Sequence, residues 1–237
     1  MNFSPELNLV QQEYIRRITQ GNAPILLEVE HFLASTPGKM IRPKLTLMTA
    51  ATLAPTISQR TLLMAVAVEM LHNVSLLHDD VVDNSPTRRG LPSVANHWGN
   101  ATAVLVGDYL LAQLMQLLHE IDDKQASSLI AKTVVAMSES ELYALQSAPA
   151  DAASYLRILD GKTARLMATS CALGNPMLEK FGLHYGRFFQ LRDDIADGEA
   201  TPWTAPLVEQ ERDAALSELA RLSIPDSLHQ SFSELLQ

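Results

Sequence analysis

Apolar residues recur along most of the chain at intervals of three and four positions, the spacing that places side chains on one face of an α-helix. Alternating runs of β-branched and aromatic residues, which are typical of strands, are hard to find. The pattern therefore predicts an all-α protein. The predicted helices, whose bounds carry an error of about two to four residues, cover residues 5–19, 24–34, 40–53, 57–83, 93–119, 123–146, 151–173, 177–197, 205–222 and 225–236.

Helix-breaking residues stand where the helical pattern lapses, among them Pro37, Pro55, Pro149 and Pro202. No stretch rich in glycine, serine or proline separates the chain into halves. We therefore expect a single domain that spans residues 1–237.

Composition narrows the class of protein further. Hydrophobic residues make up 47% and charged residues 19% of the chain, which is typical of a packed helical protein. The net charge of -9 argues against a general nucleic-acid-binding surface. The lone Cys171 lies among apolar residues, which fits a buried side chain and a reducing compartment. With no signal-peptide pattern and no long uncharged apolar window, we expect a cytoplasmic protein without a transmembrane segment.

The most informative feature is an acidic pattern, Asp-Asp-x-x-Asp, that occurs twice. The copies are Asp79, Asp80 and Asp83, and Asp193, Asp194 and Asp197. Each follows an apolar run with helical spacing, so its first and last aspartates share one helix face. Such clustered charge opposes folding unless cations neutralise it, and oxygen-only ligands suit Mg²⁺. Because Mg²⁺ held by one or two carboxylates usually completes its shell with substrate phosphates, the pattern predicts a metal-bridged diphosphate site.

Basic residues occur where a diphosphate site would need them. Arg88 and Arg89 follow the first acidic copy, and arginine matches phosphate oxygens bidentately. Lys39 and Arg42 precede a predicted helix, and Lys162 lies in an apolar helical segment. Each feature alone has a simpler explanation as a solvated helix end or a surface charge. Their occurrence together favours a functional site.

These stretches resemble the trans-isoprenyl diphosphate synthases, also called polyprenyl synthetases. The matching segments, in family order, are Gly38-Lys39-Met40-Ile41-Arg42-Pro43, the run from Glu69 to Gly90, the run from Trp98 to Leu110, Gly161-Lys162-Thr163-Ala164, and Phe189 to Asp197. The resemblance covers most of the chain between about residue 25 and residue 198.

The resemblance implies an isoprenoid-synthase-type helical bundle around a central cavity, assembled as a homodimer. It implies head-to-tail condensation of an allylic diphosphate with isopentenyl diphosphate by a Mg²⁺-dependent trans-polyprenyl diphosphate synthase. The metal ligands would be Asp79, Asp80, Asp83, Asp193 and Asp197, and the residues carrying catalysis Asp79, Asp80, Asp83, Lys162 and Asp193. Arg88, Lys162 and Gln190 would bind the allylic diphosphate, and Lys39, Arg42, His72 and Arg89 would bind isopentenyl diphosphate.

Product length depends, by the same resemblance, on what blocks the growing tail. Bulky aromatic residues four or five positions before the first aspartate give short products, and here those positions hold Ser75 and Val74. Helical steps back from Asp79 place Leu71 and Val68 next along the predicted path. We therefore expect a product of C20 or longer.

The chain departs from the family after the second acidic copy. The glycine- and lysine-containing loop that normally follows is not recognisable, which indicates an internal deletion after residue 198. That loop normally supplies a lysine to the allylic diphosphate, so we expect slower or leakier catalysis. A glycine of the family is also replaced here by Ser140.

Three alternatives stay open. The deletion would suit a non-catalytic or weakly active subunit that modulates a partner synthase, although both acidic copies are retained. Glu28 with His31 and Glu69 with His72 have the Glu-x-x-His spacing of di-metal bundles, a spacing that arises readily by chance. Terpene cyclisation is a related chemistry, but it leaves Lys39, Arg42 and the paired arginines unexplained.

Overall fold

The computed structural model describes residues 2–36, 38–146 and 148–237, and its helices confirm the all-α prediction. The bounds are α1 Ser4–Ile18, α2 Pro24–Ser35, α3 Ile41–Ala51, α4 Gln59–Val82, α5 Val94–Trp98, α6 Asn100–Ile121, α7 Lys124–Gln146, α8 Ala152–Leu159, α9 Arg165–Gly174, α10 Glu179–Ala196, α11 Thr204–Ala220 and α12 Asp226–Glu234. A π-helical turn, Asp160–Ala164, joins α8 to α9, and a 3₁₀ turn, Pro176–Leu178, precedes α10. The break predicted at Pro37 lies outside the described residues.

Three local features differ from the helices expected from the sequence. The segment predicted as helix 93–119 is divided at Gly99, whose φ of 89° a helix cannot accommodate. The segment predicted as helix 151–173 contains the π turn. A short antiparallel hairpin, β1 Thr87–Arg88 and β2 Leu91–Pro92, follows the first acidic copy. Two-residue strands are too short for an alternating pattern to reveal them.

The described residues pack into two compact units. The N-terminal unit comprises residues 4–44 and 62–123, and the C-terminal unit comprises residues 45–61 and 124–237 with the extreme N-terminus. One domain over the whole chain stays a prediction.

Helix α4 forms the core of the N-terminal unit. Its residues are buried at every position from Leu63 to Leu71, which is typical of a helix enclosed on all sides. Arg17 of α1 holds Glu120 of α6 at 2.7 Å, and the Trp98 ring packs edge-on against Phe32 of α2. The first contact joins α1 to α6, and the second joins α2 to α5.

The C-terminal unit brings α10 unusually close to α9 and the π turn. A Cβ on Gly182 would lie 2.8 Å from the Ala168 Cα, and one on Gly186 would lie 2.5 Å from the Ala164 Cα. Both glycines therefore permit close backbone approach. Tyr155, Leu159, Leu191 and Leu207 form an apolar cluster beneath the second acidic copy.

Within the part of the chain that the structure describes, two helices, Gln59–Val82 and Asn100–Ile121, are long and apolar enough to cross a membrane by length and composition. The apolar window of the first is 61% buried, which is typical of a core helix, and that of the second is 33% buried. Length and composition do not separate a membrane span from a core helix. The expectation of no transmembrane segment stays a prediction.

Candidate active site

The first acidic copy ends helix α4 in a Schellman-type cap. The Asp83 amide donates to the Asp79 carbonyl at 2.8 Å, and the Ser85 amide donates to the Asp80 carbonyl at 3.0 Å. Asn84 takes the left-handed conformation, with φ 52°, that this cap needs. The cap fixes Asp83 one turn beyond Asp79, so both lie on the face predicted for metal binding.

The second acidic copy ends α10 in the same way. The Asp197 amide donates to the Asp193 carbonyl at 2.9 Å, and the Glu199 amide donates to the Asp194 carbonyl at 2.8 Å. Gly198 supplies the left-handed residue, with φ 76°. The repeated five-residue pattern therefore produces a repeated backbone geometry, which puts the last aspartate of each copy at the helix cap.

In both copies the middle aspartate is buried and already hydrogen-bonded. Asp80 is 3% exposed, and its Oδ1 accepts from Arg88 Nε at 2.9 Å and from Arg88 Nη2 at 2.5 Å. Asp194 is 7% exposed and accepts from the Tyr155 hydroxyl and from Gln190 Nε2. Tyr155 is a site residue that the sequence did not reveal. Burial and its bond to Asp194 raise the pKa of the Tyr155 phenol to about 12.

The hairpin after the first copy sends its two arginines to different partners. Arg88 binds Asp80, whereas Arg89 Nη1 donates to the Thr36 carbonyl at 2.6 Å. The turn residues Arg89 and Gly90 have φ of 53° and 79°, as two-residue hairpin turns of type I′ require. Arginine is unusual at such a position, and residues held in unfavourable backbone conformations cluster at functional sites.

The four residues predicted to bind isopentenyl diphosphate, Lys39, Arg42, His72 and Arg89, all belong to the N-terminal unit. Burial lowers the pKa of His72 well below its usual value, and Arg42, Arg89 and Arg88 lower it further. His72 is therefore neutral at neutral pH and could bind an anion through a hydrogen bond, not through charge. Lys39 is exposed beside Gly38.

Glu69 is a buried acidic residue that interacts electrostatically with Arg42 and Arg89. It is 3% exposed, and its Oε1 accepts from Asn73 Nδ2 at 3.3 Å. Burial raises the pKa of Glu69, and the positive charges of Arg42 and Arg89 oppose that rise. A Cβ on Gly38 would lie 2.6 Å from Arg89 Nη2, so the glycine lets the backbone approach the guanidinium.

The lowered pKa of His72 has a consequence for stability. Because the unfolded state binds the proton more readily, the free energy of unfolding should fall as pH drops below about 6.5, by up to about 1.4 kcal/mol per pH unit. Replacing His72 with glutamine should flatten this dependence between pH 7.5 and 5.5, as measured by urea unfolding. His229, exposed on α12, provides the control His229→Gln. Equal slopes in all three proteins would contradict the prediction.

A substitution at Arg89 should affect substrate binding without much effect on the stability of the fold. In Arg89→Gly, relief of the left-handed backbone offsets the lost bond to Thr36, so the free energy of unfolding should change by less than about 1 kcal/mol. If Arg89 binds isopentenyl diphosphate as predicted, the KM for that diphosphate should rise about 10- to 100-fold, because a charge-assisted hydrogen bond is lost.

Asp122→Gly is the matched control for Arg89→Gly, since Asp122 also has a left-handed φ, 51°, but is not one of the residues predicted to bind substrate. It should stabilise the protein slightly and leave the KM unchanged. An unchanged KM in Arg89→Gly would remove Arg89 from the site.

Lys162 and Gln190 belong to the C-terminal unit with the second acidic copy. Lys162 is exposed, while its neighbours Gly161 and Thr163 are buried. The Thr163 hydroxyl donates to Gln190 Oε1 at 2.6 Å, and Gln190 in turn donates to Asp194 at 2.8 Å. This chain of hydrogen bonds ties the turn that carries Lys162 to the end of α10.

The residues predicted to set product length lie on α4. Val68, Leu71 and Val74 are buried, and Ser75 is half-buried with its hydroxyl bonded to the His72 carbonyl at 2.9 Å. Their contact with a product tail stays a prediction.

Carboxylate chemistry, not a preformed cluster, supports metal binding at each of the two acidic helix ends. Among residues 2–36, 38–146 and 148–237, no group of three or more histidine, cysteine, aspartate or glutamate side chains is close enough to hold an ion. Asp79, Asp83, Asp193 and Asp197 nevertheless offer only oxygen ligands, at the negative ends of two helices. That donor set fits Mg²⁺ or Ca²⁺ and does not fit a soft metal.

Comparison with known proteins gives consistent matches. A family model described as polyprenyl synthetase matches residues 23–205. A heptaprenyl diphosphate synthase component 2 from Geobacillus stearothermophilus is 34% identical over 211 residues, 84% of this chain and 65% of the relative. An all-trans-nonaprenyl-diphosphate synthase (geranyl-diphosphate specific) from Rhodobacter capsulatus is 34% identical over 197 residues, 78% of this chain and 61% of the relative. The chain thus spans less than two thirds of the length of these relatives.

Solved structures show the same fold. A crystal structure of a decaprenyl diphosphate synthase from Rhodobacter capsulatus is 25% identical, with a TM-score of 0.87 over 99% of this chain and 95% of that chain. The likeness confirms the predicted isoprenoid-synthase type of helical bundle.

Proposed function

This chain belongs to the polyprenyl synthetase family, and we propose that it is a prenyltransferase that joins an allylic diphosphate to isopentenyl diphosphate in head-to-tail, trans fashion. The observation that carries the proposal is the pair of acidic copies, which end two helices with the same cap, a buried middle aspartate and an exposed last aspartate. The negative C-terminal end of a helix and its carboxylates favour a bound cation. Mg²⁺ held by carboxylates usually completes its coordination shell with substrate phosphates, such as those of a diphosphate.

The proposed roles of the site residues follow from their chemistry. Asp79, Asp80 and Asp83 on α4, and Asp193 and Asp197 on α10, would hold Mg²⁺; Asp80 also accepts a hydrogen bond from Arg88. Bound Mg²⁺ would supply positive charge to the diphosphate as the carbon–oxygen bond breaks. Lys162, Gln190 and Arg88 would bind the allylic diphosphate. Lys39, Arg42, His72 and Arg89 would bind isopentenyl diphosphate.

Fixed cations act on the step that separates charge. Cleavage of the allylic carbon–oxygen bond leaves an allylic cation and a diphosphate with extra negative charge, so Arg88 and Lys162 stabilise the separating pair more than the intact substrate. The double bond of isopentenyl diphosphate then attacks the cation, and the departing diphosphate takes the proton that is lost. Water must be excluded, because it would quench the cation. No side-chain nucleophile is needed.

Product length is the readout that tests the predicted tail path. Replacing Ser75 with phenylalanine places a large ring one helical turn before Asp79, so the products should shorten by one or more isoprene units, as measured by chromatography. Ser138→Phe, at an exposed position on α7, should leave the product distribution unchanged. Products of unchanged length in Ser75→Phe would show that the tail does not pass this face of α4.

Homodimer formation is part of the proposal. Helix α6 exposes Val104, Leu105 and Met115, and a second copy of the chain would bury such apolar residues. Sedimentation of the purified protein should give a dimer mass.

Activity of the purified chain tests the function directly. The protein is incubated with Mg²⁺, isopentenyl diphosphate and each allylic primer from C5 to C20, and product lengths are determined. Products of C20 or longer are expected. Failure with every primer would overturn the proposal and favour a subunit that modulates a partner synthase. The same protein would then be assayed with an active synthase.

A further inference from the structure

The turn that carries Lys162 is π-helical, although the sequence around it predicts a continuous α-helix. Residues Asp160–Ala164 form the turn, and the Arg165 amide donates to the Asp160 carbonyl, five residues earlier. A π turn inserts one residue into a helix, so it rotates the side chains on its two sides relative to each other. Whether Lys162 faces outward therefore depends on what keeps this turn from reverting to α-helix.

Ser140 of α7 hydrogen-bonds to the backbone next to the π turn. Its hydroxyl lies 3.2 Å from the carbonyl oxygen of Arg157 and 3.2 Å from that of Ile158, and it donates to them. These are carbonyls of the helical turn that leads into the π turn. Ser140 is 5% exposed, so water has little access to replace its hydroxyl.

The backbone of the π turn is pressed directly against Ser140. A Cβ on Gly161 would lie 1.9 Å from the Ser140 Cβ and 2.3 Å from its Oγ. A glycine next to Lys162 is therefore required for α7 to reach the turn at all. The hydroxyl, the glycine and the exposed lysine form one local arrangement within the C-terminal unit.

We propose that the Ser140 hydroxyl stabilises the π turn in the geometry that presents Lys162, which makes Ser140 a positioning residue for Lys162. The inference rests on the proposed function, in which Lys162 binds the allylic diphosphate. Thr163 and Asp160 support the same turn from its other side, through Gln190 and through the Arg187 guanidinium. Ser140 does not touch the substrate in this arrangement.

Two substitutions separate a hydrogen-bonding role from a packing role. Ser140→Ala removes the hydroxyl but leaves the methyl group in place, so no water can enter to replace it. Ser140→Gly also removes the Cβ and leaves room for a water beside the carbonyls of Arg157, Ile158 and Ala136, the last of which also faces this space. A hydrogen-bonding role therefore predicts a larger effect for alanine, whereas a packing role predicts a larger effect for glycine. Ser138→Ala, exposed on the same helix, is the matched control.

The experiment measures hydrogen exchange of residues 157–165 and steady-state kinetics in the full chain. In Ser140→Ala, exchange in this segment should accelerate on the order of tenfold, and the KM for the allylic diphosphate should rise by a similar factor, with that for isopentenyl diphosphate unchanged. Ser140→Gly should show the smaller change, and Ser138→Ala none.

Exchange as slow in Ser140→Ala as in the wild type would overturn the inference, and so would a larger effect in Ser140→Gly. A wild type without activity on any primer would instead overturn the proposed function. The exchange measurement would still decide the role of Ser140 at the turn.

Discussion

Replacing Arg187 with methionine is expected to lower the free energy of unfolding by about 3–5 kcal/mol. Arg187 Nε and Nη2 bind the two carboxylate oxygens of Asp160 at 2.6 and 2.8 Å, and Nη1 binds Glu211 at 3.3 Å. The Glu211 side chain is 2% exposed, so the substitution would leave its charge buried without the guanidinium. His184, 2.6 Å from Glu211, would compensate only in part.

Urea unfolding measures this effect, and Arg212 on α11 provides the control. Arg212 also pairs with acidic residues, Glu209 and Asp213, but these pairs are exposed. Arg212→Met should change the free energy of unfolding by less than about 0.5 kcal/mol. A second variant, Arg187→Met with Glu211→Gln, should recover part of the loss because it removes the buried charge. Equal stability of Arg187→Met and Arg212→Met would show that the network contributes little.

This network also connects α11 to the turn that carries Lys162. Glu211 belongs to α11, the helix that follows the second acidic copy after only a short loop, and Asp160 begins the π turn. Arg187 of α10 binds both. We therefore expect Arg187→Met to weaken allylic diphosphate binding as well, since it loosens the turn that carries Lys162.

Replacing Asp83 with asparagine is expected to lower kcat/KM by about 10²- to 10³-fold and to leave the protein as stable or slightly more stable. A metal ligand contributes several kcal/mol to stabilising the transition state, which corresponds to this loss in rate. Asp83 is exposed at the C-terminal end of α4, where a negative charge opposes the helix dipole. Asparagine removes that charge and should stabilise the metal-free protein by about 0.3–1 kcal/mol.

Asp122→Asn is the matched control, because Asp122 is an exposed aspartate that caps α6 and is not in either acidic copy. It should give a similar small gain in stability with no change in kcat/KM. Rates measured over a range of Mg²⁺ concentrations, together with unfolding in chelator, test both effects. Retention of full activity in Asp83→Asn would exclude Asp83 as a ligand.

The sequence predicted the helices and the candidate chemistry because both depend on local pattern. Helix α4 was predicted as 57–83 and runs from Gln59 to Val82, and α10 was predicted as 177–197 and runs from Glu179 to Ala196. Apolar spacing and helix-ending residues act within a few positions of each other. The family resemblance likewise rested on short motifs, and the family match confirmed it.

Tertiary contacts decided the roles within each motif. All six aspartates of the two copies look alike in sequence, yet only Asp80 and Asp194 are buried, because Arg88 reaches one from the hairpin and Tyr155 reaches the other from α8. Arg88 is 8 positions from Asp80 and Tyr155 is 39 positions from Asp194, so no single sequence spacing could have predicted both pairs. Burial beside arginines also made His72 neutral, a state that residue type alone did not reveal.

The sequence by itself determined an all-helical chain with two acidic helix ends and the cations to match them. Only the tertiary structure decided which carboxylates stay exposed, where Arg89 bends into a left-handed turn and where a π turn interrupts the helix at Lys162. The physical reason is range. Helix formation follows from neighbours three and four positions away, whereas burial and backbone distortion depend on groups such as Ser140 that come from another helix.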